Sequence, residues 1–289
     1  MFLFWLLTPG NADWSGAKQP APGDPVEIGY RGDPQAALHL PFTAMQYPTE
    51  LGPAAAWFVP APAPSRTWAV FVHGVGGIRE NGYRQLAILH DAGIPTLMID
   101  YRNDPGAPQS DPPLFSFGLN EWRDLDAAMG WMLANGADRV IIVAESMGGA
   151  IAGQFILHSD KADRVAALVL DAPALDIHGS VSGLYRLARL PFADELATLA
   201  IRIAALVSGT PLYEAVTTQA VAGFSGPLFI AHGTADRLVP FLDSQRLVSL
   251  RQAPTTTLWT AADHLKSYKE NPARYRAELL AFLRTVLAD

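Results

Sequence analysis

The sequence has no cysteine. That absence excludes disulfides, thiolate-bound metals and a cysteine nucleophile together, while leaving the redox compartment open. Charge is scarce, at 17% of residues, and its balance is acidic, with a formal net charge of −7. An acidic surface repels phosphate backbones, so nucleic acid is not an expected partner. No G-x-x-x-x-G-K-[ST] or G-x-G-x-x-G loop is present, which removes the two commonest phosphate-binding signatures. The apolar run MFLFWLL at residues 1–7 is far shorter than the roughly 20 residues a membrane-spanning helix needs. It also lacks the basic stretch of a signal peptide. It is expected to pack on the body of the protein. Two alternatives are the stub of a truncated anchor and a tip making peripheral membrane contact. The expected location is cytoplasmic, or membrane-associated or exported if the N-terminus is cut short.

The 289 residues, 49% of them hydrophobic, suffice for one large domain spanning residues 1–289. Residues 1–64 are rich in proline and glycine and read as an extension with short edge strands, with candidates at 26–30, 37–42 and 55–59. From Trp68 onward short apolar runs alternate with amphipathic stretches. Strands are predicted at 68–72, 95–99, 139–144, 166–170, 227–231 and 255–259. Several lack polar alternation, which suits strands buried on both faces of a parallel sheet. Helices are predicted at 83–92, 121–135, 148–157 and 272–287. This alternation argues for an α/β fold with a mostly parallel central sheet and helices on both faces. Residues 174–225 interrupt the rhythm with helical pieces at 184–190 and 195–207. Because an unstructured loop of that length is improbable, the interval reads as a small helical lid. Its apolar residues, including Leu184, Leu187, Leu190, Leu196, Leu199, Ile201 and Leu206, suggest an acyl or alkyl pocket; the alternative is that at helical period they are mostly core, packing the lid onto the body.

The segment from Val140 to Ala150, VIIVAESMGGA, runs from a strand into a serine and then a small-residue helix start. That is the strand–turn–helix setting of a nucleophile elbow, and it nominates Ser146. Gly148 supplies the small residue the sharp turn requires, while Ala144 stands where the pattern has glycine. The competing reading is a serine N-cap on an ordinary helix. At the helix start the Met147 N–H lacks an intrahelical acceptor and can hold an oxyanion. The glycine-rich loop His73-Gly74-Val75-Gly76-Gly77 follows a strand, and the Val75 N–H is the second candidate donor. His73 itself reads as a hydrogen-bonded structural histidine shaping that loop.

Asp236, in HGTADRLVP after a late strand, falls after the serine and before the last strand, in the order Ser…Asp…His. Asp171 is the competing acid, with Asp243 and Asp263 behind it. Of the seven histidines, His264 alone follows the last strand, where that order demands the base. His39, His90, His158 and His178 lack such a position.

Together the motifs HGVGG, AESMGG, HGTADRLVP and ADH give the chain a resemblance to the α/β-hydrolase superfamily, particularly its esterase and monoacylglycerol-lipase-like members, from about Ala54 to the C-terminus. The stretches DYRNDPGAP from Asp100 and EWRD from Glu121 resemble a bacterial subgroup of largely uncharacterised hydrolases. In such relatives a membrane segment can precede the catalytic domain, of which residues 1–7 are at most a stub. The resemblance implies an α/β-hydrolase fold and acyl transfer by Ser146, His264 and Asp236, with no metal or organic cofactor. The expected substrate is a small-molecule carboxylic ester with a short- to medium-chain acyl group. Peptidase, amidase and acyltransferase activity are alternatives on the same residues, and a non-catalytic binding module of this fold is a further one. Arg31-Gly32-Asp33 reads as a chance adhesion tripeptide.

Overall fold

A computed structural model describes residues 2–10, 30 and 32–288. Its strands are β1 (Thr43–Thr49), β2 (Gly52–Val59), β3 (Thr67–Val72), β4 (Thr96–Ile99), β5 (Arg139–Glu145), β6 (Val165–Asp171), β7 (Leu228–Gly233) and β8 (Thr255–Thr260). They form one eight-stranded sheet in the order β1-β2-β4-β3-β5-β6-β7-β8. β1 and β2 pair antiparallel, β2 pairs antiparallel with β4, and every later pairing is parallel.

The central strands read as unbroken apolar runs because both of their faces are covered. Val70 and Val72 of β3, Val140 and Ile142 of β5, Leu168 and Leu170 of β6, and Leu228 and Ile230 of β7 point into one buried cluster. The residues between them, Ala69, Phe71, Ile141, Val143, Ala167, Val169 and Phe229, point into the other. The strand period of 2 thus divides one hydrophobic run between two cores.

The helices are α1 (Phe2–Leu7), α2 (Pro34–Leu38), α3 (Tyr83–Asp91), α4 (Trp122–Ala134), α5 (Met147–His158), α6 (Ile177–Leu187), α7 (Ala193–Ser208), α8 (Thr218–Gly223), α9 (Phe241–Leu250), α10 (Ser267–Glu270) and α11 (Pro272–Ala288). Residues of α4 and α5 fill the first cluster, and those of α3 and α11 the second. Residues 37–42 are not the expected strand. Asp33 caps α2 by accepting the Ala36 N–H at 2.8 Å, Pro34 occupies its first turn, and the strand begins only at Thr43. An Asp-Pro pair is a helix-start signal that outweighs the apolar residues after it. The strand expected at 26–30 lies outside the described residues, apart from Tyr30.

Residues 174–225 carry α6, α7 and α8 between β6 and β7. Of the seven apolar residues expected to pack this insertion onto the body, only Ile201 is fully buried; Leu187, Leu196, Leu199 and Leu206 are exposed. The face of α7 turned inward is made of Ala193, Ala197, Ala204 and Ala205 around Ile201. Small side chains let the helix lie close, which leaves its large ones outside. Leu3 and Leu7 of α1 are buried, and the Leu7 carbonyl accepts the Phe115 N–H at 2.9 Å. Leu3 and Phe4 share an open apolar cleft of about 210 Å³ with Leu190, Leu196, Leu199 and Ile203. Among the described residues no helix is long and apolar enough to cross a membrane.

Candidate active site

β5 ends at Glu145 and α5 begins at Met147, so Ser146 alone makes the turn, with φ 52° and ψ −122°. A non-glycine residue in that region costs about 1–3 kcal/mol, which the surrounding structure must hold in place. The Ser146 N–H donates to the Asp171 carbonyl at 3.0 Å, and the Ser146 carbonyl accepts the Ala174 N–H at 2.9 Å. Gly148 packs on the end of β3: a Cβ there would lie 2.3 Å from the Val72 carbonyl oxygen. The Ser146 hydroxyl does not cap α5, so the N-cap reading does not describe its side chain.

The hydroxyl instead lies 3.0 Å from Nε2 of His264, in the loop after β8. Nδ1 of the same ring lies 2.7 Å from Oδ2 of Asp236, in the turn after β7. A carboxylate accepts only, so Nδ1 carries the proton and Nε2 presents a lone pair to Ser146. The other carboxylate oxygen, Oδ1, accepts the N–H groups of Leu238 and Val239, each at 2.9 Å. Burial pushes the Asp236 carboxyl up, but hydrogen bonds from His232, His264 and the Val239 N–H outweigh it. They hold this acid well below the usual carboxylate range.

The other acids lie elsewhere. Asp171 accepts the Tyr275 hydroxyl at 3.1 Å and pairs with Arg84 at 3.5 Å, while Arg84 also reaches Glu145 at 2.5 Å. It serves a buried network beneath the turn and does not reach His264. Asp263 pairs with Arg237 and accepts the His264 N–H at 2.9 Å. Asp243 sits in the first turn of α9. His232 was not predicted to take part, yet its Nε2 lies 3.1 Å from Oδ2 of Asp236 and its Nδ1 accepts from Ser244 at 2.6 Å. Its position at the end of β7, four residues before Asp236, was the available signal.

The loop of residues 73–77 lies over Ser146. A Cβ on Gly74 would fall 2.8 Å from the serine Cβ, so only glycine allows that approach. The Gly74 carbonyl accepts the Gly77 N–H at 3.0 Å. Among the described residues the Val75 N–H meets no acceptor, and Met147 holds the first N–H of α5. Between the insertion and the acid turn, Gly183, Arg186, Leu187 and Arg189 face Asp236, Arg237 and Pro240 across a groove of about 480 Å³.

The chain is 23% identical over 253 residues to the uncharacterized protein YfhR of Salmonella typhimurium, covering 80% of this chain and 77% of that one. An esterase from Pyrococcus furiosus superposes with a TM-score of 0.71 at 18% identity, covering 91% of this chain and all of the other (100%). The alpha/beta hydrolase GrgF from Penicillium superposes with a TM-score of 0.66 at 17% identity, covering 86% of this chain and 100% of that one. At such identities the likeness is one of fold. The model of the alpha/beta hydrolase family matches residues 69–286, a span that holds every residue of the candidate site, and the chain belongs to that family.

Proposed function

We propose that the protein is a serine hydrolase that cleaves carboxylic esters through an acyl-enzyme intermediate. One observation carries the reading: the Ser146 hydroxyl, turned away from its own helix, lies 3.0 Å from a histidine whose second nitrogen lies 2.7 Å from the buried Asp236. His264 takes the Ser146 proton as the oxygen attacks the ester carbonyl carbon. Asp236 keeps the proton on Nδ1 and stabilises the imidazolium that forms. The Val75 and Met147 N–H groups receive the charge developing on the carbonyl oxygen, each donor accounting for roughly 10²–10³ in rate. His264 then protonates the leaving alcohol, and water repeats the sequence to release the acid. The reading extends to a short- to medium-chain aliphatic acyl group, which the ester series below tests. Esterases are among the solved structures that share this fold, which supports the ester class.

The test is hydrolysis of p-nitrophenyl esters from acetate to dodecanoate by the native protein and Ser146→Ala. The native protein should turn over the shorter esters and react with a fluorophosphonate, and the variant should do neither. Equal rates for the two proteins would remove Ser146 as nucleophile.

A further inference from the structure

The loop carrying Val75 is gripped by a neighbouring loop for which the proposed chemistry has no use. After β4 the chain passes through Asp100, Tyr101, Arg102, Asn103 and Asp104. Arg102 anchors this loop to α4: its backbone N–H and its Nε each bond Oδ2 of Asp124 at 2.8 Å, and its Nη2 bonds Oδ1 at 2.9 Å. The anchored loop then contacts both ends of the segment 73–79. Asp104 Oδ2 accepts from His73 Nε2 at 2.9 Å, and Asp100 pairs with Arg79 at 2.9 Å. The Tyr101 ring stacks on the His73 ring with centroids 4.4 Å apart, and its hydroxyl lies 3.2 Å from the Gly74 carbonyl oxygen.

His73 has acceptors on both sides, Asp104 Oδ2 and, 2.8 Å from Nδ1, the carbonyl oxygen of Gly74. The Tyr101 hydroxyl also lies 3.2 Å from Nδ1, but the carbonyl oxygens of His73 and Gly74 take its proton at 3.1 and 3.2 Å, leaving both ring nitrogens to carry protons. Burial opposes that charge, but the carboxylate of Asp104 and its hydrogen bond overcome it and raise the ring to about 9. The Gly74 carbonyl and the Val75 N–H belong to one planar trans peptide and point in opposite directions. Fixing the first aims the second.

We propose that Asp104 is a positioning residue: by holding the His73 imidazolium against the Gly74 carbonyl, it keeps the Gly74–Val75 peptide oriented with its N–H toward the oxyanion site beside Ser146. This rests on the reading of Ser146 as nucleophile. The same Asp104 oxygen also accepts the Tyr101 N–H at 2.7 Å. An asparagine must therefore keep its oxygen there, because its amide would set donor against donor. The ring then holds its single proton on Nε2 and turns an Nδ1 lone pair toward the Gly74 oxygen, with the Tyr101 hydroxyl at 3.2 Å as its one donor among the described residues. That repulsion favours rotation of the peptide and withdrawal of the Val75 donor.

The experiment compares Asp104→Asn, His73→Asn, the double variant and Ser146→Ala on p-nitrophenyl butyrate, with thermal unfolding of each. Either single variant should lose about 10- to 100-fold in kcat with KM within threefold, as for a group acting only in the transition state. The double variant should be no slower than the slower single, since both act through one carbonyl. Asp104→Glu, which keeps the charge, should regain part of the rate. Should Asp104→Asn not fold, His73→Asn carries the same expectation. Wild-type kcat in a folded Asp104 or His73 variant, with Ser146→Ala inactive, overturns the positioning role alone. Wild-type activity in Ser146→Ala overturns it together with the nucleophile.

Discussion

His232 and His264 address the same oxygen of Asp236, at 3.1 and 2.7 Å. His232 Nε2 also faces the Val239 carbonyl at 3.3 Å, so with two acceptors before it this nitrogen is a donor. Asp236 therefore receives four N–H groups, two from rings and two from backbone. Asp236→Asn removes the charge that selects the His264 tautomer, and kcat should fall by about 10⁴-fold. Steady-state kinetics on a p-nitrophenyl ester measures it; a loss below tenfold would contradict the assigned role.

The same acid sets a dependence on pH. Its folded pKa lies below the unfolded value of about 3.9, so the native state favours the carboxylate. That contribution is complete above the unfolded pKa and is lost as pH falls toward the native one. Wild-type protein should exceed Asp236→Asn in Tm at pH 7, and the gap should narrow below about pH 4. Thermal unfolding of both across pH 3–8 tests this.

Backbone strain at Ser146 gives an opposite pair. Ser146→Gly relieves a φ of 52° and should raise stability by about 1 kcal/mol while abolishing turnover. Gly148→Ala should do the reverse to the fold, because its methyl would lie 2.3 Å from a β3 carbonyl that cannot move without breaking the sheet. Calorimetry of the two variants, with the signs exchanged, would refute the strain argument.

Arg84 and Glu145 are both buried, with side chains 3% and 1% exposed. Arg84→Met leaves Glu145 and Asp171 together without a cation and should cost about 3–5 kcal/mol. Adding Glu145→Gln should recover part of that loss. Urea titration of single and double variants measures the coupling.

On α7, Ile201 is 3% exposed and Leu206 85% exposed. Ile201→Ala should destabilise by about 2–4 kcal/mol, and Leu206→Ala by no more than about 0.5 kcal/mol. Equal costs would show that the helix seats differently.

The central strands were legible because burial on both faces writes itself as uninterrupted Val, Ile and Leu. The strand–serine–helix segment alone left a serine N-cap open for Ser146; what made the candidate site legible was chain order, which set Asp236 and His264 after later strands. The contact of His73 with Asp104 was not legible, because its partner comes from another loop; that of His232 with Asp236 spans only four residues, but a turn's side-chain directions are not written in that spacing. Asp171 competed with Asp236 until Arg84, from α3, was seen to engage it. The leucines of α7 misled because hydrophobicity does not say which side of a helix faces inward. The alanines of that helix carried that information.

Ser146 follows β5 directly, Asp236 lies three residues beyond β7 and His264 four beyond β8, with β6 between the first two. Their separations therefore start from the spacing of neighbouring chains in a sheet, about 4.8 Å per step, and the short turns after β7 and β8 complete them. The insertion between β6 and β7 shares none of these ladder bonds. Yet it leans on the acid turn: a Cβ on Gly183 would lie 2.1 Å from the Leu238 carbonyl oxygen, so any replacement of the insertion must keep a glycine-sized contact there.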